Sequence, residues 1–78
     1  MADEILVIDD DTRLSAMLSD YLSGNGFAVR TASSSLAGLE EIGRRQPAAV
    51  ILDVMLPDLD GFETCRRIRS LSDVPVLM

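Results

Sequence analysis

The chain has 78 residues, enough for one small domain with a modest core. Apolar residues make up 47% and charged residues 26%, a globular balance, and no apolar run approaches the length of a membrane span. The net charge of −6 argues against direct nucleic-acid binding by this segment, and a single cysteine excludes an internal disulfide framework and fits a reducing, cytoplasmic setting.

Ile5-Leu6-Val7-Ile8 is β-branched and apolar without alternation, the pattern of a strand buried on both faces. Asp9-Asp10-Asp11 ends it. Leu14, Met17, Leu18, Tyr21 and Leu22 then recur at helical spacing, with Asp11 or Thr12 as cap and Gly24-Asn25-Gly26 as stop. Residues 27–31 read as a second strand. Ser33-Ser34-Ser35 offers caps for a second helix with an apolar stripe at Leu36, Leu39 and Ile42. Arg44 and Arg45 lie in its last turn, where cations suit the helix dipole, and Pro47 forbids continuation. Residues 48–52 are an apolar third strand ending at Asp53. An acidic loop containing Pro57, Asp58 and Asp60 follows. A third helix is marked by Phe62, Cys65 and Ile68, with Asp60 as cap, and a fourth strand begins at Val74.

This alternation of strand and helix predicts a parallel sheet with right-handed crossovers and helices on its faces. All strand carboxyl ends then share one edge, where open α/β sheets place their ligand chemistry. Asp9, Asp10 and Asp53 converge there although more than forty positions separate the pair from Asp53. Carboxylates so placed repel one another, which raises the pKa of at least one. A divalent cation relieves that strain, and an oxygen-only donor set favours Mg²⁺ over Zn²⁺. Asp11 is read as a helix cap. Cys65, Met17, Met55 and Met78 are expected to pack rather than react. Arg66, Arg67 and Arg69 are expected to form a solvated face first and a partner surface second. Pro57 is expected to rigidify the loop, and Gly61 to permit a backbone angle that other residues avoid.

Residues Ile5 to Asp11, together with Ile51-Leu52-Asp53-Val54-Met55-Leu56-Pro57-Asp58-Leu59-Asp60-Gly61, resemble the receiver domain of two-component response regulators. The resemblance covers residues 1–78. It implies a three-layer, doubly wound, flavodoxin-like (CheY-like) fold. It implies that Asp53 accepts a phosphoryl group from a phosphohistidine of a sensor histidine kinase. Asp10 and Asp53 would ligate Mg²⁺ through carboxylate oxygens, Met55 through its backbone carbonyl, and Asp9 through bound water. The surface near Arg13, Leu14 and Met17 is where the resemblance places the kinase. The wording of residues 55–63 is most similar to receivers of the winged-helix transcription-factor branch, which implies a DNA-binding output outside these residues.

The chain also departs from that family. Receivers usually have five strands and five helices, with a hydroxyl residue ending the fourth strand and a Lys ending the fifth. Here the sequence stops within the fourth strand and holds no Lys. The expectation is a fragment of a longer regulator with one sheet face partly bare, which self-associates. Two other readings compete. A Mg²⁺-dependent phosphohydrolase of the haloacid dehalogenase type would use Asp9 and Asp11, but Arg13 sits where that pattern wants Thr or Val. A plain interaction module would keep the fold and lose the phosphorylation. A calcium loop around Asp58 and Asp60 fails on spacing, since Leu56 and Arg67 would fall on ligand positions.

Overall fold

The computed structural model describes residues 3–78. Seven elements follow in the order β1 (Glu4–Ile8), α1 (Thr12–Gly24), β2 (Ala28–Ala32), α2 (Ser35–Arg44), β3 (Ala49–Leu52), α3 (Gly61–Leu71) and β4 (Val76–Leu77). All pairings are parallel, and the sheet order is β2-β1-β3-β4. The path steps from β1 outward to β2, then back across β1 to β3. Because crossovers between parallel strands are right-handed, and the β3–β4 step continues in the direction of the β2–β3 step, this reversal puts α1 on one face and α2 with α3 on the other. The gap between β1 and β3 is the switch point of the sheet.

Leu6, Ile8, Val50 and Leu52 point to the α2–α3 side, where they pack with Ile42, Leu56, Ile68 and Val74 in the main core. Ile5 and Val7 have the opposite parity and are buried beneath the α1 side. The unbroken apolar run of β1 is thus explained by burial on both faces. On the α1 side beyond β1, Ile51 is half-buried and Leu77 is exposed.

Each helix starts on the expected chemistry. The Asp11 carboxylate accepts the N–H groups of Arg13 and Leu14 (both 3.1 Å), the Ser34 hydroxyl that of Ala37 (3.1 Å), and the Asp60 carboxylate that of Glu63 (2.8 Å). After α1, Gly26 takes a φ of +90°, which a glycine accepts without strain.

Several side chains lie elsewhere than the helical spacing suggests. Met17 on α1 is 67% exposed and Phe62 on α3 is 72% exposed, while the buried positions of α3 are Gly61, Thr64 and Ile68. Leu14, Tyr21, Leu36, Met55 and Met78 are also exposed. Cys65 is half-buried against the core. A glycine and a threonine define the face that the apolar count assigned to phenylalanine. The reason is close approach. A Cβ on Gly61 would lie 2.6 Å from the Val54 Cα, and this contact, not an unusual backbone angle, requires the glycine.

The three arginines of α3 also divide. Arg66 and Arg67 pair with Glu63 on the surface, as expected of a solvated face. Arg69 instead turns its guanidinium to the Val74 carbonyl, where it braces the entry to β4. At the amino-terminal edge of the sheet, Glu4 pairs with Arg30 (3.1 Å) and Arg45 (2.6 Å), and Glu41 pairs with Arg30 (2.9 Å) and Arg44 (2.7 Å).

Candidate functional site

Asp9 and Asp53 are each the first residue beyond a strand, and each is still tied to the neighbouring strand. The Asp9 N–H donates to the Ala32 carbonyl (3.0 Å) and the Asp53 N–H to the Ile8 carbonyl (2.9 Å). The ladder therefore fixes the backbone of both acids at the switch point. Asp10 follows Asp9 on the exposed side. One carboxylate oxygen from each of Asp9, Asp10 and Asp53 lies within 4.8 Å of the others.

Asp9 is only 8% exposed. Burial pushes its carboxyl above the ordinary carboxylate range, and the charges of Asp53, Asp10 and Asp11 push the same way. The N–H of Asp11 donates to Asp9 Oδ1 (2.9 Å) and opposes the shift. The crowding of charge expected from the sequence is thus present at Asp9, where it adds to the larger effect of burial. The carboxylate of Asp11 is turned away to cap α1.

The loop after Asp53 folds back on itself. The Met55 N–H donates to Asp53 Oδ1 (3.0 Å), which orients that carboxylate, and Met55 itself is 79% exposed. Leu56 anchors the loop in the core, and the Gly61 N–H closes it on the Val54 carbonyl (3.1 Å). Asp58 reaches α2, where Oδ1 accepts the Ser35 N–H and Oδ2 the Leu36 N–H, both at 3.0 Å. The Leu36 N–H, followed by that of Ser35, holds the Asp58 carboxyl down at about 2. This contact left no sign in the sequence, because the cap and its helix are 23 positions apart. Asp58 and Asp60 are both spent as caps, which removes the calcium loop as a reading.

A cleft of about 220 Å³ opens between α1 and β2, lined by Asp9, Thr12, Ser15, Ser19 and Thr31 among others. Arg13, Leu14 and Met17 are all exposed on α1.

The sequence model of the response regulator receiver domain matches residues 5–78. The chain belongs to the response regulator receiver domain family. Receivers of this family are modules of two-component signalling. This receiver is 44% identical over 75 residues to response regulator MprA of Mycobacterium leprae, covering 95% of this chain and 33% of that one. It is 44% identical over 79 residues to MprA of Mycobacterium ulcerans, covering 100% and 34%. It therefore spans about a third of the length of the relatives it matches. Among solved structures, chemotaxis response regulator CheY4 of Vibrio cholerae superposes with a TM-score of 0.96 at 28% identity, over 100% of this chain and 68% of that one. Response regulator TrrA of Thermotoga maritima, solved in complex with Mg²⁺ and BeF, superposes with a TM-score of 0.90 at 28% identity, over 95% and 65%. The flavodoxin-like architecture expected from the sequence is the one observed. No helix among the described residues is long and apolar enough to cross a membrane.

Proposed function

We propose that residues 1–78 act as a phosphoacceptor receiver, with Asp53 as the acceptor and Asp9, Asp10, Asp53 and the Met55 carbonyl as the Mg²⁺ site. The observation that carries this reading is the convergence of three carboxylates within 4.8 Å at the carboxyl edge of the sheet. The donor set fits the ion. It is all oxygen, the chain has no His, and none of its three carboxylates forms an ion pair among the described residues. Mg²⁺, when bound, neutralises charge on the transferring phosphoryl oxygens.

The rest of the work falls to the chain. Strand pairing holds Asp53 in place, and the Met55 N–H orients its carboxylate through Oδ1. A carboxylate oxygen of Asp53 attacks the phosphorus as the P–N bond of a phosphohistidine breaks, and the bonding pair leaves with the imidazole. The product adds nearly two negative charges to an acidic site. No arginine of this chain forms an ion pair with Asp9, Asp10 or Asp53 among the described residues. A bound cation would supply compensating charge there.

The donor is a sensor histidine kinase, docking on the exposed surface of Arg13, Leu14 and Met17. The setting is the cytoplasm. In a protein of the relatives' length, the phosphorylated receiver would control an output domain, by resemblance a DNA-binding winged helix. The receiver segment itself, at net charge −6, does not bind nucleic acid. A haloacid-dehalogenase-type phosphohydrolase is disfavoured because Asp11 caps α1 rather than joining the cluster.

The test is incubation with Mg²⁺ and acetyl phosphate, read by intact mass, with Asp53→Asn as control. The expected result is one phosphoryl adduct, absent from the variant. An equal adduct on the variant assigns the chemistry to another residue. Mg²⁺ binding without any adduct makes the segment an interaction module.

A further inference from the structure

We propose that Asp58 is a positioning residue for the metal site, holding the loop that carries Asp53 and Met55 against the amino terminus of α2. This inference rests on the reading of Asp9, Asp10, Asp53 and the Met55 carbonyl as Mg²⁺ ligands.

The argument starts from what α2 requires. A helix leaves its first N–H groups without intrahelical partners. The Ser34 hydroxyl takes that of Ala37 (3.1 Å), as an ordinary N-cap does, and the Ser34 carbonyl takes that of Gly38 (3.0 Å). The N–H groups of Ser35 and Leu36 remain. On a helix end near solvent, water would satisfy them. Here both are taken by the two oxygens of one side chain from a distant loop, each at 3.0 Å. The helix has its own cap, so the contact matters more to the loop than to the helix.

The loop has reason to need it. Between Asp53 and Gly61, the residues Val54, Met55, Pro57, Asp58 and Asp60 are exposed. Only Leu56 is anchored in the core. The Met55 carbonyl thus sits on backbone with little burial to fix it. Asp58 lies three residues further on, close enough for its displacement to move that carbonyl. A second contact acts in the same place. Ser35, fully buried, donates from Oγ to the Leu59 carbonyl (3.2 Å) and shares a hydrogen bond with Thr64 Oγ1 (2.7 Å). Asp58 and Leu59 therefore bind the same turn of α2 from adjacent positions. The Asp58 carboxylate also suits the positive end of the helix dipole, and its low pKa of about 2 keeps it ionised throughout the neutral range.

The experiment measures Mg²⁺ affinity by amide chemical shift, hydrogen exchange at Ser35 and Leu36, and the rate of labelling by acetyl phosphate. The chains are wild type, Asp58→Ala, Asp58→Asn and Arg30→Ala. Arg30→Ala removes ion pairs at the far edge of the sheet and controls for general loss of stability. Asp58→Ala should weaken Mg²⁺ binding about tenfold, the low end of what supporting groups around metal ligands contribute. Asp58→Asn, with one acceptor oxygen left, should fall between. Exchange at Ser35 and Leu36 should speed up, and the labelling rate should recover at saturating Mg²⁺. Arg30→Ala should leave Mg²⁺ affinity unchanged.

Wild-type affinity in Asp58→Ala, or an equal loss in Arg30→Ala, overturns the proposal. A labelling rate that stays low at saturating Mg²⁺ also overturns it, since the residue would then act beyond metal positioning. If the wild type binds Mg²⁺ and Asp58→Ala weakens it, but no adduct forms, the phosphoacceptor reading fails and the role of Asp58 stands. A wild type that takes no Mg²⁺ overturns both.

Discussion

Replacing Asp9 with Asn should make the metal-free protein more stable and the Mg²⁺-loaded protein relatively less so. An oxygen of Asp9 lies within 4.8 Å of oxygens of both Asp10 and Asp53. At that distance two unit charges repel by about 1 kcal/mol in bulk water and by about 3 kcal/mol at an effective dielectric near 20. Asp9→Asn relieves two such pairs. Salt screens the pair with exposed Asp10 more than the pair with half-buried Asp53. Against this gain, the Asp11 N–H, now 2.9 Å from Asp9 Oδ1, would bond to a neutral amide oxygen. That change loses about 1 kcal/mol of charge-assisted hydrogen bonding. The net stabilisation is about 2 kcal/mol, or roughly 10 °C in melting temperature for a domain of this size.

The pH dependence follows from the sign of the shift. A carboxyl whose folded-state pKa is raised favours folding while it is protonated, and that contribution is lost as pH rises through the folded value. The advantage of the variant should therefore vanish below the ordinary value of 3.8 and reach its full size at neutral pH. The assay is thermal unfolding followed by circular dichroism in chelator and in excess MgCl₂. A ligand held at about 100 times its Kd stabilises by about 2.7 kcal/mol, enough to erase the difference in favour of the wild type. A variant that melts below the wild type in chelator at neutral pH would refute the reasoning. So would an equal response of both chains to Mg²⁺.

Three further outcomes are expected. Gly61→Ala places a Cβ 2.6 Å from the Val54 Cα, a backbone atom that cannot turn aside, so chemical denaturation should show a loss of about 1–3 kcal/mol. Two glycines of α2 should respond to Ala with opposite signs. A Cβ at Gly43 meets nothing within 4 Å, so Gly43→Ala should gain about 1 kcal/mol of helix propensity, whereas Gly38→Ala drives a Cβ into the side chain of buried Ile8 and should lose stability overall. The exposed Leu77, next to half-buried Ile51 on the α1 side, should drive self-association, seen in sedimentation velocity as a coefficient that rises with concentration and falls back in Leu77→Asp.

The main lines of the fold were legible because the local signals agreed. The unbroken apolar run at Ile5–Ile8 marks a strand buried on both sides, and that at Val50–Leu52 a strand buried on one side and half-buried on the other. Asp11, Ser34 and Asp60 stand where helix caps belong, and alternation of the two element types leaves few topologies. The acid cluster was legible for a topological reason, since parallel strands bring Asp9, Asp10 and Asp53 to one edge whatever their separation in sequence. What periodicity could not show was which apolar side chains stay outside. Met17 and Phe62 satisfy helical spacing, yet on α3 it is Gly61 and Thr64 that are buried, Gly61 against the Val54 backbone, where only a small side fits, and Thr64 against Ser35 of α2. The role of Asp58 was hidden for a different reason. A cap supplied from another loop depends on tertiary approach and leaves no spacing to read.

The ion pairs around Glu4, Arg30 and Glu41 also shape the field around the molecule. They neutralise three arginines and two glutamates against one another at the amino-terminal end of the sheet, while six aspartates (Asp9, Asp10, Asp11, Asp53, Asp58 and Asp60) crowd the opposite end. The protein's negative charge is thus concentrated in a pole at the end of the sheet that carries Asp53. Such a pole draws cations in from a distance and turns anions away, an influence that fades over about 10 Å at moderate salt. On the proposed reading, a phosphoryl donor, itself an anion, would be repelled there less once a cation had arrived, so the charge distribution would favour one order of encounter before any contact is made.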